Sequence, residues 1–284
     1  LVSNIMMLKE KPRFDREIRA LGYTPVWMDV SQFMDEAACL DAVGDIDGWL
    51  AGDDQITRAV LEAARPTLKV IAKWGTGTDS IDKAAAADLG VPVLNSPGAF
   101  ADAVAECAIG MTLMLTRHLR AIDAAIRAGN WPKPQGIELR GATLGMIGYG
   151  AIGWRIAELG QAFGMQVVFH DPFVDGSHSP TQVAAAADVL CLACALTPEN
   201  HHIVNADLLA AMKPSALVVN VARGPLVDEA ALIAALEAGS LAGAALDVFE
   251  TEPLAPDNPL LSMENVVLSS HNANNGLRAV EAVH

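Results

Sequence analysis

The sequence predicts an α/β protein built from two doubly wound parallel sheets. Three observations carry that expectation. Short apolar runs alternate with helical ones in two separate stretches. A break at Asn95-Ser96-Pro97-Gly98 followed by a long alanine-rich segment divides those stretches. A glycine-rich turn joins a strand to a helix in the second. A length of 284 residues suits two domains of ordinary size.

In the first stretch strands are expected at Ile5–Leu8, Pro25–Met28, Gly48–Ala51, Lys69–Ala72 and Pro92–Leu94, with helices at Arg13–Leu21, Thr57–Ala64 and Ile81–Leu89. After the break, apolar residues at helical spacing predict one long helix over Phe100–Ala128, stopped by Gly129. The second stretch predicts six strands, at Thr143–Ile147, Gln166–His170, Val189–Ala193, Ala216–Asn220, Ala244–Val248 and Val266–Ser269. Helices such as Ala151–Phe163 and Glu229–Glu237 separate them.

Composition narrows the function. Hydrophobic residues make up 52% and charged residues 19%, with a mean hydropathy of +0.30, which describes a folding chain. Thirty-four acidic residues against 19 basic ones leave a net charge of −15, a field that repels phosphate backbones, so nucleic acid is not expected as a partner. Glu106 interrupts the longest apolar run, Ala99–Leu115, and no membrane span is expected. Lys9 and Lys11 follow the first apolar stretch, where a secretory signal would place charge before it. With only Cys39, Cys107, Cys191 and Cys194, a reducing cytoplasm is the expected location. Cys191 and Cys194 form a C-x-x-C inside a strand-like run, where that spacing points them to opposite faces; plain packing is expected rather than a redox or zinc site.

Gly148-Tyr149-Gly150-Ala151-Ile152-Gly153 directly follows a predicted strand and opens a predicted helix. In that context the first glycine permits the tight turn, the second lets the backbone approach a pyrophosphate, and the third lets helix and strand pack closely. The helix N-terminus offers free N–H groups to the anion. Asp171, 18 residues beyond Gly153 and at the end of the next strand, is placed to accept hydrogen bonds from a ribose. An aspartate there repels the 2′-phosphate of NADP, so NAD is the expected cofactor.

Ligands of open α/β sheets bind beyond the carboxyl ends of strands. Arg223, Asp247, Glu252 and His271 fall just after the later strands. An arginine can hold a carboxylate bidentately, and a histidine with an acid partner can shuttle a proton near neutral pH. Beside a nicotinamide, these suit oxidation of a 2-hydroxy acid or reduction of a 2-keto acid. Lys73, at a strand end, is either an anion ligand or a solvated side chain. The pair His201-His202 reads as an exposed loop.

The sequence resembles the D-isomer-specific 2-hydroxyacid dehydrogenases over nearly its whole length. The resemblance rests on Lys73-Trp74-Gly75-Thr76-Gly77-Thr78-Asp79, Asn95-Ser96-Pro97-Gly98 with Ala103-Val104-Ala105-Glu106, the glycine fingerprint, Asn220-Val221-Ala222-Arg223-Gly224, Asp247-Val248-Phe249-Glu250-Thr251-Glu252-Pro253, and His271. It implies a Rossmann NAD-binding domain, residues 97–272, inserted in a flavodoxin-like substrate domain, residues 1–96 and 273–284. It implies that Arg223 holds the substrate carboxylate, that His271 is the acid/base, and that Glu252 orients His271. The backbone of Thr76 and Gly77 is then expected at the carboxylate. Cofactor contacts are expected from Gly148, Gly150, Ala151, Ile152, Gly153, Asp171, Thr197, Ala222 and Asp247. The implied reaction interconverts a small 2-hydroxy acid and its 2-keto acid, of the phosphoglycerate, glycerate or glyoxylate class, with two domains closing over the cofactor. The long helix is an expected homodimer surface. The rival reading is a non-catalytic, NAD-sensing protein of the corepressor type; a formate dehydrogenase relative would want further carboxylate-site side chains. Ser270 stands where the family often has proline.

Overall fold

The structure, a computed structural model, describes residues 1–284. The chain divides into two compact units, Leu1–Phe100 with Leu277–His284, and Ala101–Gly276.

In the first unit Asn4 caps α1 (Ile5–Lys9) by accepting from the N–H groups of Met6 and Met7. The run expected as a first strand is therefore helical: a short apolar run fits either state, and the cap decides. The α2 helix (Lys11–Ala20) follows, with Pro12 in its first turn. Strand pairing at this end shrinks to one residue, Val2, which bridges Leu50 on one side and Trp27 on the other. The expected strand at Pro25–Met28 is thus a single bridge. Next come α3 (Glu36–Ala42), β1 (Gly48–Ala51), α4 (Arg58–Ala63), β2 (Val70–Lys73), α5 (Lys83–Asp88) and β3 (Val93–Leu94). The strands pair in parallel in the order β1-β2-β3. With the bridges counted, the spatial order is Trp27, Val2, β1, β2, β3, a flavodoxin-type winding. Trp49, Ile56, Leu61 and Ile71 are fully buried in its core.

The second unit opens on α6 (Ala101–Thr116) and α7 (Leu119–Arg127), where one helix was expected. His118 breaks it with a left-handed backbone, φ 52°. The segment at 135–137 docks on this corner: Ile137 N–H donates to the Thr116 carbonyl, and the His118 ring contacts the Gln135 carbonyl. Gly129 ends α7 with φ 83°, as its placement implies. Then follow β4 (Thr143–Ile147), α8 (Ala151–Ala162), β5 (Gln166–His170), α9 (Pro180–Ala186), β6 (Val189–Leu192), α10 (Ala206–Ala210), β7 (Leu217–Asn220), α11 (Glu229–Glu237), β8 (Gly243–Leu246) and β9 (Val266–Leu268). All six strands are parallel, in the order β5-β4-β6-β7-β8-β9. Every residue of β6, β7 and β8 is buried, as strands covered on both faces should be. The winding reverses between β4 and β6, so the crevice at their carboxyl ends is the topological switch point. Finally α12 (Leu277–Val283) returns to the first unit, where Arg13 pairs with Glu281 at 2.9 Å.

Candidate active site

The three glycines of the fingerprint divide their work as steric argument requires. Gly148 has φ 94°, and a Cβ there would lie 2.5 Å from the Cys194 nitrogen. A Cβ on Gly153 would lie 2.2 Å from the Gly148 carbonyl oxygen, so α8 meets the β4 turn only through glycine. Gly150 is different: nothing lies within 4 Å of the Cβ it lacks. No side chain caps α8, which leaves its first N–H groups, at Ala151 and Ile152, facing that open space. An anionic pyrophosphate fits this cradle. Asp171 follows β5, and its carboxylate accepts from Tyr149 N–H at 2.8 Å and from Phe173 N–H at 3.0 Å. It braces the glycine loop, a role its spacing alone does not reveal. Thr197 opens a short 3-10 turn beyond β6, its N–H donating to Asn200.

Behind this loop, the C-x-x-C is not a strand pair of opposite faces, because β6 ends at Leu192 and Cys194 lies beyond it. Burial pushes the Cys191 thiol up to about 12 and the Cys194 thiol up to about 11. Neither is a thiolate at neutral pH.

Three neighbouring strands, β7, β8 and β9, end in the ionisable residues. Asn220, buried at the end of β7, accepts from Ala222 N–H through its side-chain oxygen and donates its amide N–H to the Arg223 carbonyl at 2.8 Å. That bracket sets the half-buried Arg223. Gly224 then packs on the chain after β8: a Cβ there would lie 1.8 Å from the Phe249 carbonyl oxygen. Past β8, Glu252 accepts from Phe249 N–H at 3.0 Å with one oxygen and meets His271 Nδ1 at 2.8 Å with the other. A carboxylate at Nδ1 fixes the proton there and assigns exchange to Nε2.

His271 itself is held in the left-handed region, φ 53°. Asp247 holds it: its carbonyl accepts from His271 N–H at 2.7 Å, and its buried carboxylate accepts from Asn272 and Ala273 N–H at 2.8 and 3.0 Å. The carboxylate expected at a cofactor also holds the turn that carries the imidazole. A second histidine–carboxylate contact, His202 with Glu250, ties the 201–204 loop to the same segment, so that pair is more than a solvated loop.

Thr76 and Gly77 belong to the first unit, after β2. The Thr76 hydroxyl donates to the Ser96 carbonyl and the Thr76 carbonyl accepts from Asn95, while no protein acceptor takes the N–H groups of Thr76 and Gly77. Two adjacent unengaged donors suit a carboxylate.

A profile of the family described as "D-isomer specific 2-hydroxyacid dehydrogenase, NAD binding domain" matches residues 109–273. The chain belongs to the D-isomer-specific 2-hydroxyacid dehydrogenase family. It is 37% identical over 257 residues to a D-3-phosphoglycerate dehydrogenase of Methanocaldococcus jannaschii, covering 86% of this chain and 49% of that protein. It is 39% identical over 243 residues to a glyoxylate reductase of Thermofilum pendens, covering 80% of this chain and 71% of that one. The chain thus spans about half the length of the phosphoglycerate dehydrogenase it matches. Among solved structures, D-lactate dehydrogenase from Aquifex aeolicus, complexed with NAD and lactic acid, superposes with a TM-score of 0.86 at 28% identity, over 96% of this chain and 89% of that one.

Within this 2-hydroxyacid dehydrogenase, Asn220 and Glu250 stand inside motifs read from the sequence, but the bracket that Asn220 forms and the His202–Glu250 contact are not part of that reading. A polar residue closing an all-apolar strand is the one signal that could have singled out Asn220.

Proposed function

We propose that the chain is an NAD-dependent oxidoreductase that interconverts a D-2-hydroxy acid and its 2-keto acid, of the phosphoglycerate, hydroxypyruvate or glyoxylate class. The observation that carries this reading is the His271–Glu252 contact of 2.8 Å at the end of the sheet whose switch point holds the glycine cradle. The nicotinamide, when bound, gives or takes the hydride. Gly150, Ala151 and Ile152 hold its pyrophosphate by main-chain N–H groups, Asp171 takes the ribose, and Thr197 and Ala222 line the cofactor's path. Arg223 pairs with the substrate carboxylate and faces the charge that grows on the carbonyl oxygen. The N–H groups of Thr76 and Gly77 suit a substrate carboxylate. In reduction His271 Nε2 delivers a proton to that oxygen, and Glu252 stabilises the imidazolium beforehand; oxidation returns the proton to Nε2.

The test is NADH oxidation followed by absorbance with a panel of 2-keto acids. His271→Ala should lower kcat by about 10²-fold or more, the usual scale for a positioned acid, with NADH affinity kept. Turnover near that of the parent protein would remove His271 from the reaction. The relatives named above carry the names of enzymes, and nothing among them favours a corepressor.

We assign the active form as a homodimer in the cytoplasm. The support for a dimer is α7, none of whose residues is buried, with Leu119 and Ile126 on one stripe and Trp131 and Ile137 exposed beyond it. Four unpaired cysteines suit a reducing compartment. A monomer in sedimentation equilibrium would refute the dimer.

A further inference from the structure

His202 is one of three non-glycine residues held in the left-handed region, at φ 53°. A Cβ makes that conformation unfavourable, and a turn that needed only its shape would take glycine or asparagine. Two bonds show what the histidine adds. Its N–H donates to the Pro225 carbonyl at 2.8 Å, and its ring Nε2 meets the Glu250 carboxylate. Pro225 lies two residues after Arg223, and Glu250 lies two residues before Glu252. One half-buried residue thus joins the turn that carries the arginine to the turn that carries the partner of His271.

The same two turns touch directly. Gly224 abuts the main chain of Phe249 and Glu250, where a Cβ would lie 1.8 Å from the Phe249 carbonyl oxygen. Phe249 N–H then donates to Glu252, so any drift of this seam moves the donor that aims the Glu252 carboxylate. From α11, Glu229 accepts from Glu250 N–H at 3.4 Å with one oxygen and from Asn258 Nδ2 at 2.7 Å with the other. Glu250 therefore stands beside a second carboxylate, and like charges push apart. The imidazole of His202, with the His201 ring 3.9 Å from it, is the group that draws the Glu250 side chain back.

We propose that His202 is a positioning residue of the reaction: through Glu250 it holds the 249–252 turn so that Glu252 stays on His271 Nδ1. The role rests on the reaction proposed above. A carboxylate beside an imidazole favours the protonated ring, and keto-acid reduction needs that proton. Loosening Glu252 therefore moves the alkaline limb of the reduction profile to lower pH. The other carboxylate at this turn, Asp247 on Asn272 and Ala273 N–H, is left in place by every variant below.

The test is the pH dependence of kcat for NADH-driven reduction of glyoxylate and hydroxypyruvate in the parent protein, His202→Asn, His202→Gln and Glu250→Ala. Asparagine takes the left-handed backbone readily and is too short to reach Glu250, so it opens the contact without straining the turn. Glutamine carries an amide nitrogen to about the place of Nε2. His202→Asn and Glu250→Ala should each lower kcat about fivefold, the scale of one hydrogen bond, and move the alkaline limb down by about half a pH unit or more. KM for NADH should stay within about twofold, and His202→Gln should recover most of both losses. Combining His202→Asn with Glu250→Ala should cost no more than either alone, because both break one contact. Glu250 is exposed, so Glu250→Ala decides the matter if His202→Asn does not fold. A fall in kcat with the limb unmoved makes the contact merely structural and overturns the role, as does parent-like kcat in both single variants. A parent protein that reduces neither acid sinks the proposed reaction and this role together, whereas an active parent matched by its variants sinks this role alone.

Discussion

Replacing Asp247 with alanine separates two roles for one carboxylate. The left-handed backbone of His271 costs roughly 1–2 kcal/mol for a residue with a Cβ, and it persists because the following N–H groups are tied down. Asp247→Ala removes the acceptors of Asn272 and Ala273 N–H. Hydrogen bonds to a charged group contribute about 1.5–3 kcal/mol each, and removing a buried charge offsets part of the sum. A net loss of about 3 kcal/mol exceeds what the left-handed turn needs, so the turn should relax and carry the imidazole away from Glu252. Urea unfolding followed by tryptophan fluorescence should show that loss, kcat should fall by about 10- to 100-fold, and NADH affinity measured by titration should stay within about threefold. The conservative Asp247→Asn keeps one acceptor and should recover part of both. Stability and kcat both unchanged would refute the clamp; intact stability with lost NADH binding would return the carboxylate to the cofactor.

Gly224→Ala puts a methyl 1.8 Å from the Phe249 carbonyl oxygen, a backbone atom that cannot rotate away. Stability should drop by about 3 kcal/mol or more and kcat with it, measured on the same unfolding and turnover assays. Asp171→Ser should narrow the preference for NADH over NADPH and also weaken NADH, because Tyr149 N–H loses its acceptor; comparing the two dissociation constants checks both. Burial lowers the pKa of His284, whose Nδ1 accepts from Trp74 Nε1–H at 3.3 Å. A base with its folded pKa below the unfolded value of about 6.5 gives its full stability above that value and loses it as pH falls through and below it. The parent protein should therefore lose more Tm than His284→Gln between pH 7.5 and pH 5.5, and equal losses would exclude the histidine.

The architecture was legible in the second unit because buried parallel strands write themselves as unbroken apolar runs, as in Val189–Leu192 and Leu217–Asn220. The first unit was harder to read. Its leading apolar run folds as α1 because Asn4 supplies a cap, and α3 is too short for a periodic signal, as is α10 in the second unit. The break between α6 and α7 has no glycine or proline to announce it; a segment some twenty residues later creates it by docking on Thr116. The same distinction holds at the site. The glycines were readable because their constraint is local, whereas the Asp247 clamp and the Asn220 bracket are hydrogen bonds between a buried side chain and nearby or distant main chain, and spacing carries no record of either.

Those brackets also explain where the molecule keeps its buried polar groups. Eight polar or charged residues are buried, and Thr112 and Thr116 merely fold their hydroxyls back onto their own helix. The other six, Ser3, Asn4, Asp54, Lys73, Asn220 and Asp247, sit at or just beyond strand or bridge ends. Asp54 accepts from Ser3 Oγ, Gly52 N–H and Met34 N–H, and so fixes the loop that presents Asp53 to Lys73. Asn220 and Asp247 do the same for Arg223 and His271. Desolvating a polar side chain is costly unless its hydrogen bonds are restored inside, and an apolar residue would fill those positions more cheaply if only packing mattered. What an apolar residue cannot do is hold loop main chain in one conformation. Asp54→Ala should therefore cost about 3 kcal/mol or more of stability, because it removes the acceptor of Ser3 Oγ, Gly52 N–H and Met34 N–H, and a urea midpoint equal to the parent's would show that this loop needs no such anchor.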